Sequence, residues 1–209
     1  MNPNSVCVTP AKWFVRVFVG LLCFGFVHSP SVIAVESDAA TIIASLIDSS
    51  KLATLKERGA NPRIQKAVYW LAAARTDGKK PSAVLDSAIK QAGYSNKQAV
   101  KLTKAALLRN LDIAEKLGCL DEDGLKEMRN GKSPTVRKGP YKGDQLSVDH
   151  IIPKAVCPEL DKVIANLELM PLRMNESKNA KIGSRQRSLA KQLHAAGLLS
   201  ASGLNEVER

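Results

Sequence analysis

Aromatic residues make up only 4% of this 209-residue chain, histidine occurs three times and cysteine four times. With so few rings, a core must be assembled from Ala, Leu, Ile and Val, a composition that favours helices. The cysteines, at positions 7, 23, 119 and 157, form no CxxC pair, which argues against a zinc knuckle and a disulfide-dense scaffold. There is no internal repeat, no low-complexity tract and no acidic residue before Glu36. Hydrophobic content of 44% and charged content of 24% are those of a globular protein, so disorder is not the expected organisation.

Residues 1–34 read as a leader rather than as part of the fold. Lys12 and Arg16 give a basic start, an apolar run extends from Val17 to Val27, and Val32-Ile33-Ala34 offers a cleavage position. The run is shorter than the about 20 apolar residues of a membrane span; an uncleaved N-terminal anchor is the alternative. Export to a periplasm or the medium is expected, with no stable membrane association once the leader is removed. Past the leader, 29 Lys or Arg face 20 Asp or Glu, and the whole chain carries +11 with a pI near 9.6. Such an excess suits a polyanionic partner, because neutralised phosphates release their counterions. A solvated basic face has the same composition. Two cysteines also remain, Cys119 and Cys157. In an oxidising compartment they form either one disulfide, tying the helical region to the C-terminal module, or two buried free thiols.

Between residues 37 and 131 apolar residues recur at helical spacing. Helices are expected over 39–56, from Asn61-Pro62 to Asp77-Gly78, from Pro81 to near Gly93, over 95–117 and briefly over 121–128. Tyr69 and Trp70 read as core. The composition changes at Asn130-Gly131-Lys132-Ser133-Pro134, where a basic loop opens a second module. There, 145–152 and 166–170 read as strands and 174–180 as a helix. An amphipathic helix over 184–199 carries Leu189, Leu193 and Leu198 on one side, with His194 structural or solvent-facing. The expected fold is mainly α with a small α+β module: leader 1–34, helical domain 35–131, module 132–209.

One group of residues in that module carries chemistry. Val148-Asp149-His150-Ile151-Ile152-Pro153 is followed by Asn166 and by Asn175-Glu176-Ser177-Lys178. Phosphodiester hydrolysis needs a base to deprotonate water, positive charge where the transition state becomes negative, and positioning. A divalent metal supplies the second need, and oxygen donors such as Asp149 and Asn175 suit a hard cation like Mg²⁺. His150 is the candidate base, a role worth about 10²- to 10⁴-fold in rate. Neighbours on a regular strand point to opposite faces, so a strand end or bulge is expected here, and Pro153 suits an end. Singly, these residues have plainer readings: Asp-His as a surface turn, Asn166 and Asn175 as caps, Lys178 as a solvated side chain. Their conjunction in this order points to a site.

In these residues the chain resembles the HNH endonucleases, whose fold is the ββα-metal, or His-Me finger, module. The resemblance runs over about residues 141–182, roughly a fifth of the chain. It rests on the Asp-His pair followed by two apolar residues and proline, on Asn166-Leu167, and on Asn175 with Lys178 three positions later. It implies that His150 is the general base, that Asp149 and Asn175 hold the metal, and that Asn166 bridges the long loop behind His150. Lys178 would face the phosphate or brace the site. Asparagine at the last position, where other members have histidine, implies Mg²⁺ or Mn²⁺ rather than Zn²⁺ or Ni²⁺. The resemblance further implies products with 5′-phosphate and 3′-hydroxyl ends. The CxxC pairs that brace many members are absent, so the helical region or a Cys119–Cys157 bridge is expected to stiffen the module.

Charge is concentrated in the same region: residues 129–191 hold thirteen Lys or Arg against six Asp or Glu. Lys142, Lys154, Arg173, Lys181, Arg185 and Arg187 are the candidate nucleic-acid contacts. Nothing suggests base-edge readout, so little sequence specificity is expected, with DNA ahead of RNA as substrate. Two other classes stand beside this one. The first is a catalytically idle module that binds nucleic acid through its basic helix. The second is an exported effector or toxin nuclease whose helical domain docks a receptor or immunity protein.

Overall fold

Capping side chains or first-turn prolines set five helix starts in the first half of the chain. In the computed structural model, which describes residues 31–178 and 180–209 with side chains from 39 onward, α1 spans Ser31–Ile47. The expected leader lies outside the described residues up to position 30. No described helix is long and apolar enough to cross a membrane. Asp48 accepts hydrogen bonds from the N–H groups of Ser50 (2.9 Å) and Lys51 (3.2 Å) and so starts α2, Ser49–Ala53. The single helix expected over 39–56 is therefore two. Pro62 and Pro81 occupy the first turns of α3 (Asn61–Thr76) and α4 (Pro81–Gln91), where a missing N–H does no harm. Asn96 caps α5 (Lys97–Lys116), and Asp121 caps α6 (Glu122–Arg129).

The basic loop then leads into two antiparallel strands, β1 (Leu146–His150) and β2 (Leu167–Pro171), paired from Leu146↔Pro171 to His150↔Leu167. The loop between them carries 3₁₀ turns at Pro158–Leu160 and Ile164–Asn166. α7 (Leu172–Ser177) begins directly after Pro171, earlier than expected. Gly197, at φ +70°, ends α8 (Ser184–Ala195) sooner than the pattern implied, and Ser200 caps a further helix, α9 (Ala201–Glu208). His194 is exposed, and its Nδ1 lies 2.9 Å from the Leu199 carbonyl across that turn.

Two cores result. Leu146, Val148, Leu167 and Leu169 share one face of the sheet and join Ile43, Ile64, Leu71, Leu85 and Leu107 of the preceding helices. Ile152, Cys157 and Leu160 of the interstrand loop pack instead with Ala190, Leu193, Leu199 and Val207. Packing thus crosses the junction at 131/132, with α5 lying against both β2 and the turn at Ile164–Asn166.

Helix side chains also reach the outer edges of the sheet. Gln65 of α3, 2% exposed, donates from Nε2 to the Leu146 carbonyl at 3.1 Å. The fully buried Asn110 of α5 acts as a stand-in strand for β2. Its Nδ2 donates to the Leu167 carbonyl (3.1 Å), and its Oδ1 accepts from Leu169 N–H (2.7 Å).

Cys119 packs in the first core and Cys157 in the second, and both are free thiols. The bridge considered from the sequence is therefore not formed: each thiol is seated in its own apolar cluster. Burial, aided by Asp121, pushes the Cys119 thiol up to about 11, and burial with Glu159 raises that of Cys157. Alkylation proceeds through the thiolate. Native protein at pH 8 is expected to resist iodoacetamide at both residues until denaturant is added; rapid native labelling of either, read by mass spectrometry, would contradict this packing. Asn110→Leu leaves two buried backbone groups unpaired and is expected to cost about 2–4 kcal/mol in urea unfolding. A loss under about 0.5 kcal/mol would show that the edge is held by something else.

Candidate active site

Alternation along β1 turns Leu146, Val148 and His150 toward the interior and Ser147 and Asp149 to the opposite face. α7 lies against β1, and its side chains reach that opposite face. Its Asn175 donates from Nδ2 to Ser147 Oγ at 3.1 Å. Lys178, at the end of the helix, reaches Asp149 Oδ2 at 2.5 Å and the His150 carbonyl at 2.9 Å. A two-residue step on the strand is thus matched by a three-residue step on the helix. Asp149, Asn175 and Lys178 are brought together on one face.

Asp149 Oδ1 and Asn175 Oδ1 have no protein partner among the described residues. Among those residues no three His, Cys, Asp or Glu side chains gather into a metal cage. One carboxylate and one carboxamide oxygen completed by water form a donor set that Mg²⁺ accepts and that Zn²⁺ does not favour.

His150 ends β1 and is 8% exposed. Its Nε2 lies 3.1 Å from the Asp161 carbonyl oxygen and 3.2 Å from Asp161 Oδ1. A carbonyl oxygen can only accept, so in the neutral ring Nε2 carries the proton and Nδ1 the lone pair. Asp161 is 5% exposed, and its Oδ2 accepts the Arg58 N–H at 3.3 Å. Its Oδ1 makes no well-directed hydrogen bond although it lies beside the ring.

Asn166, fully buried, closes the loop that carries Asp161. Its Oδ1 accepts from Ile152 N–H (2.8 Å), its Nδ2 donates to the Ile152 carbonyl (3.0 Å), and the Leu160 carbonyl lies at 3.5 Å. Its own carbonyl accepts from Ile151 N–H at 2.8 Å. The chain immediately after His150 is therefore fixed from both sides.

The six candidate nucleic-acid contacts divide into free and committed. Lys142 and Lys181 are exposed and have no partner among the described residues. Arg173 lies 3.4 Å from Asp144 and over the Tyr141 ring, while Arg187 donates to the Ile182 carbonyl. Lys154 pairs with Glu57 and holds that carboxyl below its ordinary range. Arg185 grips Glu168 at two points, 3.0 and 2.5 Å, and Arg109 Nε is 2.8 Å from the same carboxylate. Glu168 is the cross-strand partner of Asp149, so this ion cluster adjoins the site.

Asp161, Glu168 and Arg109 are absent from the candidates drawn from the sequence. Glu168 does carry a signal there, as the one charge inside the apolar strand Leu167–Pro171. Asp161 carries none, standing eleven residues beyond His150 in irregular chain. No family model, curated protein or solved structure matches the chain.

Asn166→Ala removes the loop's internal bonds and is expected to cost about 2–4 kcal/mol. Limited trypsin digestion should then cut at Lys154 or Lys162 well before global unfolding. A variant as resistant as the parent would show that the loop is held without this side chain.

Proposed function

We propose that the chain is an exported, metal-dependent endonuclease that hydrolyses phosphodiester bonds in nucleic acid, DNA ahead of RNA, with little sequence selectivity. The observation that carries this reading is the setting of His150. Its Nε2 is engaged by Asp161, which leaves Nδ1 as the basic nitrogen; on the opposite face of the same strand the preceding residue pairs with Lys178, and Asn175 bonds Ser147 beside it. The order strand, loop, strand, helix is also that of an HNH module, the finer fold we assign to residues 132–209.

His150 takes a proton from water at Nδ1 as the water oxygen approaches phosphorus in line with the leaving oxygen. The Asp161 carbonyl keeps the ring oriented, and its carboxylate offsets the imidazolium charge that forms. Asn166 holds the loop so that this orientation persists. Asp149 and Asn175 would hold Mg²⁺ or Mn²⁺, which when bound supplies positive charge at the phosphate oxygens. Lys178 adds a second positive charge on the same face. The P–O3′ bond breaks and the departing O3′ takes a proton from solvent, leaving 5′-phosphate and 3′-hydroxyl ends as the resemblance implies. Lys142 and Lys181 contact backbone phosphates, which carry no sequence information.

A catalytically idle nucleic-acid-binding module is the second reading. One observation favours it: Lys178 already neutralises Asp149.

With purified protein, Mg²⁺ and plasmid or RNA, His150→Ala is expected to lose about 10²- to 10⁴-fold in cleavage rate while keeping its affinity for nucleic acid. EDTA should abolish cleavage by the parent. A fully active His150→Ala protein sinks the assignment; binding without cleavage in Mg²⁺ and Mn²⁺ alike selects the idle module.

A further inference from the structure

Arg58 is the one non-glycine residue with positive φ, +55°, among the described residues. A Cβ strains that conformation, which glycine adopts freely, and such strain gathers at functional sites. Three observations give this residue a purpose. Its N–H donates to Asp161, the residue that holds His150. Its side chain lines a cleft of about 290 Å³ together with Asn61, Ser133, Ser147 and Asn175. Its guanidinium forms no hydrogen bond or ion pair among the described residues, and the neighbouring Glu57 is taken by Lys154. In the same cleft Asn61 Oδ1 is buried without a donor, an open acceptor where water or a polar ligand belongs.

Resting on the nuclease reading, we propose that Arg58 is the residue by which the helical half of the chain grips the phosphate being cut. Its planar fork suits two non-bridging oxygens, where a lysine would offer only a point charge. The bond from its backbone to Asp161 ties that grip to the position of the base. The turn between α2 and α3 thus contributes to a site whose proposed base, metal ligands and Lys178 all lie beyond residue 145.

Arg58→Gly tests this, because it relieves the backbone while removing the guanidinium. Its melting temperature is expected to stay level or rise, while plasmid cleavage with Mg²⁺ falls about 10²- to 10³-fold. Binding of a labelled DNA duplex across a salt series should lose about one from the slope of log affinity against log salt. Arg58→Gln, which keeps the strain but not the charge, should show both losses without the gain in melting temperature. Cleavage within about twofold of the parent, or an unchanged salt slope, overturns the proposal. If the parent binds DNA but does not cleave it in Mg²⁺ or Mn²⁺, the nuclease reading fails, and the salt slope alone decides whether Arg58 meets phosphate. If the parent does not bind DNA at all, both fall.

Discussion

Two five-residue strands form a single ladder and leave outer edges whose N–H and C=O groups must be paired if they are buried. A sheet so small does not persist alone in water. Here side-chain carboxamides supply pairing that a third strand would normally provide. Asn110 offers β2 a donor and an acceptor in the spacing of a peptide group, and Gln65 serves β1 at Leu146. Asn166 then does for the loop what Asn110 does for the edge. Each is buried and fully placed by the helix or turn that carries it, so the pairing needs little further ordering of the side chain. The position of His150 depends on all of them, since it ends a strand that they keep in being.

Charge is used in a similar way. The chain's excess of +11 suggests a broad cationic surface, but several of the basic residues are spoken for. Arg185 is held by Glu168, Lys178 by Asp149, Arg173 by Asp144 and Lys154 by Glu57. The most exposed of these, Lys154–Glu57, adds little in water, so its effect is to place side chains more than to stabilise the fold. Glu168 differs in having two guanidinium groups against a side chain only 10% exposed. It sets a rigid, ion-paired floor directly beside Asp149.

Helix-by-helix, the first half was legible because its boundaries are local chemistry: Asn61-Pro62, Pro81 and Asp121 announce themselves. Asp48 is the exception, an ordinary-looking aspartate within an unbroken apolar period that nonetheless caps a new helix. The two strands were legible from alternation and from Pro171, with ends displaced by a residue or two. The last helix goes unseen because the apolar period carries through Gly197 to Leu199, and the eight residues after Ser200 are too few to announce a helix of their own. At the site, Asp149, Asn175 and Lys178 stood in recognisable spacing, and the structure brings them together. Asp161 and Arg58 were invisible: Asp161 meets His150 through its backbone carbonyl from irregular chain, and Arg58 meets Asp161 through a hydrogen bond across 103 residues and an unusual backbone angle. Asn110 was readable in principle: a carboxamide in the same stripe as Leu107 and Leu111 asks what it bonds to.

The dependence of the sheet on α3 and α5 also orders events in time. Synthesis runs from the N-terminus, so the helices carrying Gln65 and Asn110 leave the ribosome before either strand they serve. When Leu146 and Leu167 emerge, their edge partners already exist, and the strands need never wait as open templates for another chain. The same logic makes the C-terminal segment a poor cassette. Cut away from its helices and grafted elsewhere, it would carry its chemical residues intact but lose the groups that make them a surface.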